Sequence, residues 1–179
     1  MNRRRFLGTL AGAGAGMAGC VSLGSGVSGT SIEHVEPRRD RERRPPIVEF
    51  DDDAGAVHVL GYMAYGSSSC DRVGIDSTTY DGDADALEIV LASKSRRSFS
   101  TACTADMAAT WYRATVRFAD ELPQQVTVVE GDGDDPQTRT VDRSEQRELC
   151  TSEHPPDSTA AETAHWTCPE RYVAASGAE

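Results

Sequence analysis

The sequence predicts an all-β protein, an antiparallel sandwich of about six to seven short strands. Three observations carry that prediction. Apolar residues recur with period two, in short runs spaced at intervals of roughly ten residues, and Gly/Asp turns separate the runs.

Ile47-Val48-Glu49-Phe50 opens the pattern, and Val57-His58-Val59-Leu60 continues it through Gly61 to Tyr65. Val73 to Tyr80 forms the next run, followed by Leu87-Glu88-Ile89-Val90-Leu91, whose Leu87, Ile89 and Leu91 share one face. A short helical turn is expected over Ala105–Thr110, with Thr104 as its cap. In Trp111–Phe118 the residues Tyr112, Ala114, Val116 and Phe118 fall on one side and Arg113 and Arg117 on the other. Val126-Thr127-Val128-Val129 ends the pattern after Leu122-Pro123. Beyond Glu130 the run Gly131–Pro136 reads as a break, and residues 137–179 carry few apolar groups. The sandwich is therefore expected over 47–130, and an irregular, acidic, cysteine-containing tail over 131–179, either wrapped on the sandwich or stapled by its cysteines.

At 179 residues and 19.2 kDa, with 38% hydrophobic and 6% aromatic residues, the chain supports one compact domain with a lean interior. Its 18 Lys+Arg stand against 29 Asp+Glu, a net charge of -11. That balance excludes a general nucleic-acid binder, which needs a basic face to neutralise phosphates. No apolar run approaches the length of a conventional membrane span.

The first nineteen residues read as an export signal. Arg3, Arg4, Phe6 and Leu7 fall in the twin-arginine form Asn2-Arg3-Arg4-Arg5-Phe6-Leu7. An uncharged, Gly/Ala-rich stretch then runs to Met17-Ala18-Gly19-Cys20, small residues before a cysteine as in a lipobox. Positive charge holds the start inside, the weakly apolar stretch enters the membrane, and the Cys20 thiol takes lipid. Residues 20–46, first Gly/Ser-rich and then arginine-rich, read as a flexible linker behind the lipidated Cys20.

Removing residues 1–19 takes away three arginines and no acid, leaving 15 basic against 29 acidic residues, a net charge of -14. Lys94 is the only lysine. Dense carboxylates hold water and hydrated cations, and salt screens their mutual repulsion. The composition therefore resembles that of secreted proteins of salt-loving archaea, with a GC-rich genome as the alternative source of arginine over lysine.

Setting Cys20 aside, four cysteines remain, which allow three pairings in a compartment that permits disulfides. Sequence position favours Cys70 with Cys103 and Cys150 with Cys168. The competing reading takes Cys150, His154, His165 and Cys168 as a tetrahedral zinc set.

Few segments carry recognisable chemistry, and no cofactor motif is present. Asp81, Asp83 and Asp85 alternate like the opening of a calcium loop, but Ala86 and Ala92 stand where that loop needs Gly and Glu. They are weak metal candidates, better read as a hairpin turn, and Asp51–Asp53 and Asp132–Asp135 are weaker still. Gly66-Ser67-Ser68-Ser69-Cys70 lacks the last glycine of a nucleophile elbow. His58 lies within a strand pattern and reads as structural. Trp111, Tyr112 and Tyr65 form a candidate aromatic patch for sugar or peptide, although alternation places Tyr112 in the core.

Arg3-Arg4-Arg5-Phe6-Leu7, Ala18-Gly19-Cys20, the acidic arginine-over-lysine composition and the β-patterned cysteine domain together resemble the small exported lipoproteins of haloarchaea. Ser69-Cys70, Thr79-Tyr80-Asp81, Leu87-Glu88-Ile89-Val90, Ala102-Cys103-Thr104 and Leu122-Pro123 resemble a pattern in such proteins. The resemblance implies a location at the outer face of the cell membrane and transfers no catalytic residue. The expectation is a lipid-anchored, non-enzymatic binding or envelope module, its partner an extracellular protein or a small solute. The alternative is a secreted, hydrolase-like enzyme built around His58 and acidic loop residues.

Overall fold

The computed structural model describes residues 26–35, 45–96, 102–131, 136–152, 164–165 and 167–171. The expected signal, Cys20 and His154 lie outside these residues. Among the described residues, eight strands and a helix follow in order: β1 (Val27–Val35), β2 (Ile47–Asp51), β3 (Ala56–Tyr65), β4 (Asp71–Asp81), β5 (Ala86–Ser95), β6 (Ala108–Phe118), β7 (Gln125–Glu130), β8 (Gln137–Asp142) and α1 (Arg143–Thr151). Two four-stranded sheets, ordered β1-β6-β3-β2 and β4-β5-β7-β8, stack face to face. The expected all-β sandwich is the observed fold.

Period two decides which face each strand buries. From the first sheet Val57, Val59, Tyr112, Ala114, Val116 and Phe118 point inward. From the second come Leu87, Ile89, Leu91, Val126 and Val128, all essentially without solvent contact. A second, smaller apolar cluster lies on the outer face of the first sheet, where Ile47 and Trp111 are buried among Val35, Leu60 and Tyr62.

Four details differ from the sequence expectation. Strand β1 lies inside the stretch expected to be linker and pairs along its length with β6, from Val27 opposite Phe118 to Val35 opposite Trp111. The backbone of β6 has donors and acceptors on both edges, and β1 satisfies the edge that β3 leaves open. The expected tail supplies β8, which pairs with β7, and α1. One pair, β5 with β7, is parallel, because β6 intervenes between them in the opposite sheet. Finally, the expected helical turn at Ala105–Thr110 is absent. Ala105 is a bend, and β6 already begins at Ala108, pairing with Tyr65.

Strand polarity gives the sandwich two poles. At one, Phe118 N donates to Gly55 O (2.9 Å), Ala119 N donates to Gly26 O (3.0 Å), and the Tyr80 ring meets Phe118 edge-on at 5.4 Å. The turns after β2, β4 and β6 therefore gather there. At the other, Ala108 N donates to Gly66 O (3.2 Å) and Arg96 N to Cys70 O (2.6 Å).

Candidate functional site

Both disulfides that sequence position favours are present, Cys70–Cys103 and Cys150–Cys168. The first pins the β3–β4 turn to the segment that enters β6. The second ties the last turn of α1 to the chain around Thr167. Because Cys150 and Cys168 are bonded to each other, they offer no thiolate to zinc, so the zinc set is overturned.

Helix α1 closes the edge of the first sheet beside β2. The Asp142 carboxylate caps it, accepting from Ser144 N (3.0 Å), Glu145 N (3.1 Å) and Ser144 Oγ (2.7 Å). The Ser144 hydroxyl, followed by the Glu145 amide, holds the Asp142 carboxyl below the usual range. Gln146 is buried and donates from Nε2 to the carbonyls of Val48 and Thr167, each at 2.8 Å. Arg143 and Arg147 both pair with Asp52, the latter at 2.8 Å, and the Arg143 guanidinium lies 6.0 Å from the Phe50 ring centre. Between these groups lies a cleft of about 230 Å³, lined by Glu49, Phe50, Asp52, Arg143, Gln146 and Arg147 among others. Its polar walls suit a small solute rather than an apolar ligand.

On the outer face of the first sheet, register brings three reactive residue types together. His58 on β3 stands opposite Thr115 on β6, and its Nδ1 lies 2.9 Å from Thr115 Oγ1. Its Nε2 lies 3.7 Å from Asp51 Oδ2. The order is carboxylate, imidazole, hydroxyl, the components of nucleophilic catalysis. Thr115 is only 7% exposed, however, and the 230 Å³ cleft includes neither His58 nor Thr115. The hydroxyl thus has no approach for a substrate carbonyl from that cleft, and the trio reads as a cross-strand hydrogen-bonded row.

The Ser67–Cys70 loop forms a second polar cluster beside the Cys70–Cys103 bridge. Thr104 Oγ1 contacts Ser67 Oγ (2.9 Å) and Ser69 Oγ (3.2 Å) and donates to Asp106 Oδ1. Ser68 N also donates to Asp106 (3.3 Å). These bonds, led by the Ser68 hydroxyl and then Thr104, hold the Asp106 carboxyl below its usual range. Thr104 therefore bonds across the bridge, which accounts for the missing helical turn that it was expected to cap.

Asp81, Asp83 and Asp85 sit in the β4–β5 turn. Asp81 Oδ1 accepts from Asp83 N (3.0 Å) and Ala84 N (3.1 Å), and Asp85 accepts from the Tyr80 hydroxyl (2.8 Å). Asp85 has a φ of 49°, in the left-handed region that Asp tolerates in tight turns. Among the described residues no group of three or more His, Cys, Asp or Glu is arranged to hold a metal ion. The expected aromatic patch is dispersed: Tyr112 is in the core, Tyr65 packs against that same core, and Trp111 pairs instead with Tyr62 at 5.4 Å.

The polar contact that sequence reasoning missed is inside the sandwich. Glu130, 3% exposed, accepts a hydrogen bond from the Tyr112 hydroxyl. Burial first, and then the Glu130 charge, push the Tyr112 hydroxyl well above its ordinary pKa. Gly61 faces the pair, and a side chain there would overlap both groups. No family model, no curated protein and no solved structure matches the chain.

Proposed function

We propose that this is an exported lipoprotein, held at the outer face of the cell membrane by lipid on Cys20, whose sandwich acts there as a non-enzymatic binding or envelope module. The observation that supports it best is the pairing of all four cysteines outside the signal and lipobox into two bridges. Such bridges persist in oxidising compartments and are rare where thiols are kept reduced. The signal motif Arg3, Arg4, Phe6 and Leu7 and the small residues before Cys20 supply the route. The partner is an extracellular protein or a small polar solute, and the cleft between β2 and α1 is the place for a solute.

Fractionating cells that express the wild type, Cys20→Ser and Arg3→Lys/Arg4→Lys tests this reading. The wild type belongs with membranes, Cys20→Ser appears in the medium, and the double-lysine variant stays inside. Equal distribution of all three removes the export and anchoring steps. The salt-adapted character implied by the acidic composition predicts a melting temperature that rises with salt, as screening relieves self-repulsion. Equal values in dilute buffer and concentrated salt contradict it.

The second reading, a hydrolase, is favoured by one observation, the Asp51–His58–Thr115 row. Ester hydrolysis by the purified chain that is lost in both His58→Ala and Thr115→Val would establish it and displace the non-enzymatic role.

A further inference from the structure

The position of β1 changes the geometry of anchoring. The composition predicts a linker of 27 residues, 20–46, between lipid and sandwich, yet Gly26 is already bonded to Ala119 and β1 begins at Val27. Only six peptide units separate Cys20 from Gly26, which span about 20–22 Å when fully extended. Gly26 belongs to one pole, with the turns after β2, β4 and β6, whereas the Cys70–Cys103 bridge belongs to the other. Strands β3 and β4 run between the poles with ten and eleven residues, about 33–36 Å of rise.

We propose that the pole carrying Gly26 and the Asp81–Asp85 turn faces the lipid headgroups, within about 20 Å of the bilayer, and that the Cys70–Cys103 pole is presented outward. This rests on the reading of Cys20 as the lipid anchor. The membrane-facing pole is acidic on balance: Asp53, Asp81, Asp83, Asp120 and Glu121 are exposed there, against the exposed Arg117 opposite Gly29 and Ala56 and against Arg143 and Arg147, which share the single Asp52 carboxylate. Over an anionic headgroup layer these carboxylates are repelled. The repulsion reaches about 10 Å at 0.1 M salt and about 3 Å at 1 M. The surface accordingly fits a neutral bilayer, or an anionic one in concentrated salt. In dilute salt over anionic lipid, the pole stands farther from the headgroups.

The single lysine makes the orientation measurable. In the chain 20–179, which keeps every described residue, ligating a lipid thioester to the N-terminal cysteine turns its α-amine into an amide. Lys94, at the outward end of β5, is then the only amine for a donor dye. The variant Asp83→Lys/Lys94→Arg moves that amine to the β4–β5 turn. With acceptor dye on the headgroups, transfer is expected to be higher from position 83 than from position 94. On anionic vesicles it should rise at position 83 between 0.1 M and 1 M salt, and on zwitterionic vesicles it should stay constant.

Equal or reversed transfer at the two positions overturns the orientation, and salt-independent transfer on anionic vesicles overturns the electrostatic part. Hydrogen exchange on the unsubstituted lipid-ligated chain provides a second readout, with slowed exchange on zwitterionic vesicles expected at 81–85 and not at 66–70. The opposite pattern also overturns the proposal. Because the lipid is attached chemically, these outcomes do not depend on lipidation in the cell, which the mass of the native protein reports separately.

Discussion

Replacing Gly61 by alanine tests the interior of the sandwich. An added Cβ would lie 2.5 Å from Tyr112 Cζ, far inside the usual carbon contact, and would also overlap the Tyr112 hydroxyl and Glu130 Oε1. Overpacking of this kind costs about 1–3 kcal/mol. Separating the hydroxyl from a buried carboxylate forfeits about 1.5–3 kcal/mol more. Against this, removing a glycine from a strand returns about 0.5–1 kcal/mol of backbone entropy. The net expectation is a loss of about 2–5 kcal/mol, a large share of a total stability of about 5–15 kcal/mol. Urea denaturation followed by tryptophan fluorescence measures it. Gly29→Ala is the control, because nothing lies within 4 Å of its added Cβ. If Gly61→Ala stays within about 0.5 kcal/mol of the wild type, as an ordinary surface change does, the assignment of Gly61 as the space for the Tyr112–Glu130 pair is wrong.

Cys70→Ser/Cys103→Ser opens a loop of sequence separation 33 and is expected to cost about 3–4 kcal/mol by denaturation, with Cys150→Ser/Cys168→Ser at separation 18 costing about 3 kcal/mol. The second variant should speed amide exchange in α1 while leaving β5 and β6 protected; uniform loss across the sheets would show the bridge holding the whole fold. The Tyr112 pKa is raised on folding, so the stability it contributes is complete below the unfolded value near 10 and is lost as pH rises above it. Tyr112→Phe should flatten that alkaline decline, and an unchanged slope would assign it elsewhere. The Asp142 pKa is lowered on folding, so its contribution is present above its ordinary value of 3.8 and lost as pH falls. Asp142→Ala should make the first amides of α1 exchange faster at neutral pH, and an unchanged rate would remove the cap from the account.

Where a strand is buried on one face, the sequence displays it. Leu87, Ile89 and Leu91 alternate with Glu88 and Val90 because only the first three face the opposite sheet. Strand β1 hides because it is an edge strand. Its Gly29 and two serines bury little, and its extended form is set by the backbone of β6 rather than by its own side chains. Strand β8 contributes one buried apolar residue, Val141, so Thr138, Arg139 and Thr140 read as tail. The one signal available for α1 was Asp142 followed three residues later by Glu145, the spacing of a helix start.

The candidate sites were less legible, since they arise from register. His58 meets Thr115 across 57 residues of sequence, and Gln146 meets Val48 across 98. No local pattern encodes either contact. The two bridges were legible because an even number of cysteines, with neighbours close in sequence, left few arrangements open.

The proposed role requires the chain to leave the cytoplasm, acquire lipid and oxidise its remaining thiols. The intact mass of the protein recovered from cell membranes addresses all three steps at once. The account predicts a chain that begins at Cys20, carries the added mass of lipid, and is four hydrogens lighter than its all-thiol form, two for each bridge. A full-length chain recovered from the cytoplasm, without lipid and with every thiol free, would contradict it.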